Sequence, residues 1–161
     1  MREATVPVAM LFATLGLLLG FVPRRVALTG GAAALIAAYG GVHLLTPLYP
    51  LEVALIPCWV TIGVLSVFIY WTRFSTTPLT IGLSITAGIV GGFTSASSGN
   101  PLGIYAASLA IVIAVPSSLA VTRGYAIAPR VVTGWLLAVT MLGAILPHVI
   151  PHPGYVPDHR E

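Results

Sequence analysis

Read from its N-terminus, the chain is a succession of long apolar runs, each cut off from the next by a short cluster of arginine, proline or small polar residues. A helix needs about 20 mostly apolar residues to cross a hydrocarbon layer about 30 Å thick. Six runs qualify, at about 4–22, 26–45, 51–71, 79–96, 102–121 and 131–150. Each interruption sets a helix breaker beside a polar group: Pro23-Arg24-Arg25, Thr46-Pro47 with Tyr49-Pro50, Arg73 to Pro78, Gly99-Asn100-Pro101, and Arg123 to Arg130. The pattern predicts an all-α fold, a polytopic integral membrane bundle of six transmembrane helices in a single domain over residues 1–161. The first run is too long for the apolar core of a signal peptide and has no small-x-small cleavage site before Pro23, so a retained helix is expected.

Composition excludes the soluble alternatives. Of 161 residues 57% are hydrophobic and 7% charged, with mean hydropathy +1.00, whereas a soluble domain carries roughly 25% charged residues. Seven arginines and four acids (Glu3, Glu52, Asp158, Glu161) cannot cover a globule of this size, so lipid must be the main solvent. The net charge of +3 comes from scattered loop arginines, which make no nucleic-acid footprint. Alternating the loops puts Arg24, Arg25, Arg73, Arg123 and Arg130 on one side against Arg2 and Arg160 on the other. By the positive-inside rule both termini are then external, and the expected location is the cell membrane, the cytoplasmic membrane in a bacterium. Tyr70, Trp71, Tyr125 and Trp135 on the inner side, and Tyr49, Tyr105 and Tyr155 on the outer, fall where interfacial aromatics belong.

Small residues recur every fourth position as Ser84, Gly88, Gly92 and Ala96 in the fourth run and as Ala106, Ala110, Ala114 and Ser118 in the fifth. Gly16 and Gly20, and Gly134 and Ala138, are shorter examples. Helices in lipid associate by close packing, so these faces are expected to meet another helix tightly. Residues 91–103 combine glycines, hydroxyls and an amide, beginning inside a predicted span. Irregular backbone there must be buried in protein or line water. Asn100 suits an N-cap and Pro101 a first helical position, which leaves free amides beside Ser97 and Ser98, an arrangement suited to an anion. The candidate substrate-binding residues are therefore Thr94, Ser95, Ser97, Ser98, Gly99, Asn100 and Pro101, on a discontinuous helix of the kind transporters use.

Pro116 beside Ser117 and Ser118 is expected to kink the fifth helix and free a carbonyl for a neighbouring hydroxyl, and Pro57-Cys58 poses the same question in the third. Cys58 is alone, which excludes disulfides and thiolate cages within one chain. His148, His152, His159 and Asp158 could in principle take a metal, but Pro147, Pro151, Pro153 and Pro157 deny them a helical face, so a solvated tail is expected. Glu52 is read as supporting the start of the third helix. The spans hold no charged residue beyond the near-boundary Glu52, and their only histidines, His43 and His148, lie near helix ends. An enzyme and a cation carrier both need buried ionisable groups, so neither is expected, nor is a cofactor.

Pro78, Gly82, Gly88, Gly91-Gly92, Ser95, Gly99-Asn100-Pro101 and Tyr105 resemble the second-half motif of the TauE/SafE sulfite exporter family, over residues 78–107. Asn100 stands where that motif has a second glycine, and a first-half break is absent from the sequence. The resemblance implies a carrier of sulfur-containing or organic anions, with the break from Gly92 to Pro101 lining the substrate site. The expected function is a small permease for an anionic or polar solute, working by alternating access as a homo-oligomer or with a partner membrane subunit. The alternative is a non-transporting structural or assembly subunit of a larger membrane complex.

Overall fold

The computed structural model describes residues 5–44, 51–71, 76–99 and 102–149, and among these every regular element is a helix. In chain order they are α1 (Thr5–Leu19), α2 (Arg24–Leu44), α3 (Leu51–Tyr70), α4 (Thr77–Ser97), α5 (Leu102–Thr122) and α6 (Ile127–Val149). Helices α2 to α6 are long and apolar enough to cross a membrane, which points to a membrane location. Helix α1 is equally apolar but has 15 residues, about 22 Å at 1.5 Å per residue.

The helix ends follow from local chemistry. Pro78 sits in the first turn of α4 behind an extended Thr76, where its missing N–H costs no hydrogen bond. After α5 the chain turns at Gly124, with φ at +86°, and the Tyr125 amide reaches back to the Ala120 carbonyl while the Gly124 amide reaches Val121. This double closure pairs carbonyls that would otherwise be orphaned, and it requires the left-handed residue that glycine supplies. Gly99, with φ at +66°, is the left-handed residue after α4, its amide bonding the Ala96 carbonyl.

The outer faces of the helices are unlike those of a water-soluble protein. Helix α5 buries Ala106, Ala107, Ala110, Ala114 and Ser117 while exposing Tyr105, Leu109, Val112, Val115 and Leu119. Helix α3 exposes Val53, Ile56, Val60, Val64 and Val67, and α6 exposes Val131, Trp135, Val139, Leu142 and Ile145. Contiguous apolar surface on this scale is not tolerated in water, but it matches a lipid solvent, where small residues are the ones that let helices approach.

Helix α1 fills the middle, with Leu11, Phe12, Leu15, Leu18 and Leu19 at the centre of the core. It packs mainly on α5, then on α3 and α4, while α2 packs mainly on α4. Both principal pairs are parallel and glycine-mediated. A Cβ on Gly16 would lie 2.6 Å from the Ala110 carbonyl oxygen, and one on Gly20 would strike Ser117. A Cβ on Gly88 or Gly92 would strike the carbonyl oxygens of Ala34 or Ala38. The close helix contacts expected of the small-residue faces of α1, α4 and α5 are present, with their partners within the chain; on α6 the expected face is not formed, since Ala138 is exposed and a Cβ on Gly134 would meet only the Tyr70 hydroxyl.

The fourfold spacing needs one correction. Ser95 and Ser117 are the buried members of their helices, rather than Ala96 and Ser118. At about 100° per residue, a position twelve residues on has drifted about 120° around the helix, whereas one eleven residues on returns to within about 20°. Ser95 and Ser117 each lie eleven residues past the first member of the stripe, Ser84 and Ala106.

Candidate functional site

Five of the seven candidate residues are described: Thr94, Ser95 and Ser97 on the last turn of α4, then Ser98 and Gly99 at its end. Asn100 and Pro101 lie outside the described residues. The backbone from Gly91 is not irregular, contrary to the expectation from composition. Helix α4 runs unbroken through Gly91 and Gly92 to Ser97, and only Ser98 and Gly99 leave it. The glycines serve packing instead: Gly91 faces the Phe12 ring of α1, and Gly92 faces Ala38 of α2. The hydroxyls do not melt the helix because they bond carbonyls of their own preceding turn, a pattern compatible with helical backbone.

Those bonds decide what the site can offer. Thr94 is fully buried, its hydroxyl 2.8 Å from the Val90 carbonyl and 3.2 Å from the Ala54 carbonyl on α3, so it ties α4 to the first turns of α3. Ser95 donates to Gly91 at 2.8 Å and Ser98 to Ser95 at 2.7 Å. Each hydroxyl has one proton to give, so these three have spent theirs. Ser97 differs: its Oγ is buried and has no hydrogen-bond partner. A buried hydroxyl without a partner carries a desolvation cost that a ligand or water would remove. Among the described candidates, Ser97 is the one with a free proton for an anion.

The walls around this end are backbone-rich. Gly41 near the end of α2 approaches Ile89, Gly92 and Phe93, and a Cβ there would lie 3.0 Å from the Ile89 carbonyl oxygen. Glu52 belongs to the first turn of α3 at the same end, its side chain outside the described residues. His43 is exposed, its ring centroid 4.3 Å from that of Tyr39.

Other sequence candidates resolve more simply. Pro116 lies within a continuous α5, and neither adjacent hydroxyl bonds the Val112 carbonyl that it deprives of a donor. Ser117 instead reaches across to the Leu17 carbonyl of α1 at 3.2 Å, and Ser118 bonds Val115 at 2.8 Å. Cys58 is fully buried, its thiol 3.6 Å from the Pro7 carbonyl of α1. Among the described residues no group of three or more His, Cys, Asp or Glu gathers. His152, Asp158 and His159, and the side chain of His148, lie outside them.

At the opposite end is a feature that the sequence does not announce. Arg130 near the start of α6 lies over the Phe21 ring that follows α1, with its guanidinium carbon 5.8 Å from the ring centroid. The Arg130 carbonyl accepts the Tyr70 hydroxyl of α3 at 2.8 Å. Arginine and aromatic residues are each expected at the interface, but no spacing in the sequence couples Phe21 to Arg130.

Comparison with protein-family models, curated proteins and solved structures finds no match to the chain.

Proposed function

We propose that the chain is a six-span permease of the cell membrane, with α1 as the short sixth span and both termini external, that moves a small anionic or polar solute. The observation that carries this reading is the buried, unpartnered Ser97 hydroxyl where α4 ends. A solute would take its proton there, beside the Ser98–Gly99 turn and the following Asn100 and Pro101, and alternating access would turn on movement of helices about that point. The absence of carboxylates from the interior of the spans favours an anion or a neutral solute over a cation. The TauE/SafE likeness suggests sulfite, sulfate or a small organic anion as the first solutes to try.

The alternative, an assembly subunit, takes part of its support from the small-residue faces. Those of α4 and α5 are occupied within the chain by α2 and α1, so they do not argue for an external partner. The test is flux of labelled sulfite, sulfate and small organic anions into proteoliposomes of the purified protein. Saturable flux in the wild type, lost in Ser97→Ala while Ser98→Ala retains it, is expected. Flux unchanged by Ser97→Ala refutes the site, and no flux for any solute from folded, inserted protein transfers the reading to the subunit.

A further inference from the structure

We propose that the arginine-bearing end of the bundle holds a phosphate oxyanion against Arg130, supplied by the headgroup of an anionic phospholipid. The inference is independent of the permease reading, because it concerns the other end of the helices and requires only that the chain lie in a membrane.

Arg130 is fixed from two directions. Its carbonyl accepts the Tyr70 hydroxyl from α3, and its guanidinium rests over the Phe21 ring beyond α1. The residue is half-buried, and its Nε is buried with no hydrogen-bond partner. A guanidinium withdrawn from water is costly unless an anion and hydrogen-bond acceptors accompany it. No carboxylate among the described residues supplies them, since Glu52 opens α3 at the opposite end. The cation is thus positioned, partly desolvated and, among the described residues, without a counter-charge.

The surroundings select the class of anion. Arg24 and Arg25 open α2 just after Phe21, and Arg123 follows α5; all three are exposed at the same end as Arg130. Tyr70, Trp71 and Tyr125 are exposed there too, and such aromatics settle at the level of lipid headgroups. The planar guanidinium fork matches a phosphate through paired hydrogen bonds. Clustered basic residues between helices at this depth are suited to anionic headgroups.

The test is a titration of the full-length protein in mild detergent by native mass spectrometry, with phosphatidylglycerol and phosphatidylcholine in parallel. Phosphatidylglycerol is expected to bind at least about tenfold more tightly, and Arg130→Gln to remove about that factor, the size of one charge-assisted pair. Arg123→Gln, which removes one exposed charge, is expected to cost about fivefold or less. Arg130→Lys keeps the charge but not the fork and is expected to lose affinity several-fold, so the site remains testable if the glutamine variant fails to fold. A final arm adds inorganic phosphate. Continued retention of phosphatidylglycerol identifies the headgroup as the source, and displacement at millimolar phosphate overturns the lipid assignment. Equal binding of the two lipids by the wild type, or unchanged phosphatidylglycerol binding by both Arg130 variants, overturns the site itself.

Discussion

Replacing Gly88 by alanine tests the packing of α2 on α4 with a single methyl group. A Cβ at that position would strike the Ala34 carbonyl oxygen and lie 2.7 Å from the Ala37 Cβ, whereas carbon atoms rest at about 3.5–4.0 Å. The helices must therefore separate by about 1 Å, a gap that forfeits roughly a quarter to a half of each contact's attraction. Overpacking of this kind costs about 2–3 kcal/mol, and the better helix propensity of alanine returns about 1 kcal/mol, for a net loss of about 1–2 kcal/mol. Gly82 on the same helix is exposed, and a methyl group added there would meet nothing within 4 Å, so Gly82→Ala receives only the propensity gain. The two substitutions are chemically identical and less than two turns apart, yet they are expected to move stability in opposite directions. Reversible unfolding in mixed micelles with increasing denaturing detergent, followed by circular dichroism, measures the difference. Equal effects of the two variants, or stabilisation by Gly88→Ala, would refute the close approach of α2 to α4.

Other expectations follow from the same contacts. Ser117→Ala removes the hydroxyl bond to Leu17 and is expected to destabilise by about 0.6 kcal/mol, the usual value for such a bond between membrane helices, in the same unfolding assay. Cys58, with no exposed surface, should resist a maleimide in the folded protein and react once the bundle is unfolded; labelling in mild detergent would place it on the outside. Phe12→Leu and Gly91→Ala should each destabilise, but the double variant should fall short of their sum by about 1 kcal/mol, because the new methyl enters space the ring has left. Strict additivity in that cycle would show that Phe12 and Gly91 do not touch.

The six helices are legible in the sequence because a long apolar helix is a property of composition and length, both written locally in the chain. Boundaries agree to within a few residues: the fourth apolar run covers about 79–96 and α4 is Thr77–Ser97. The small-residue faces are legible too, but not their partners. Fourfold spacing identifies a face and says nothing of what meets it, and α4 meets α2 while α5 meets α1, neither pair being neighbours in sequence. The candidate site is the least legible part. Glycine and serine read as breakers because in water they favour turns, yet inside a bundle the serine hydroxyl can bond the carbonyl four residues back and the glycine can admit a second helix. Gly91, Gly92 and Ser95 do those things, so the segment remains helical where composition alone suggests a break.

The same solvent argument accounts for the place of α1. In lipid, a large apolar side chain gains little by turning inward, so α5 and α6 leave most of theirs outside, while α3 exposes a valine-rich face and turns Ile62, Leu65 and Ile69 to the core. Helices joined only by small faces would either collapse into pairs or leave space between the pairs. Helix α1 occupies that space with the leucines and the phenylalanine of its buried faces, while Gly16 and Gly20 provide the close approach to α5. Its shortness fits this position, because a helix sheathed by its neighbours is not required to match the bilayer thickness along its own length. For the proposed permease, a solute would pass beside α1 rather than through it, which makes the end of α4, near Ser97 and the first turns of α3, the place where movement of one helix would matter most.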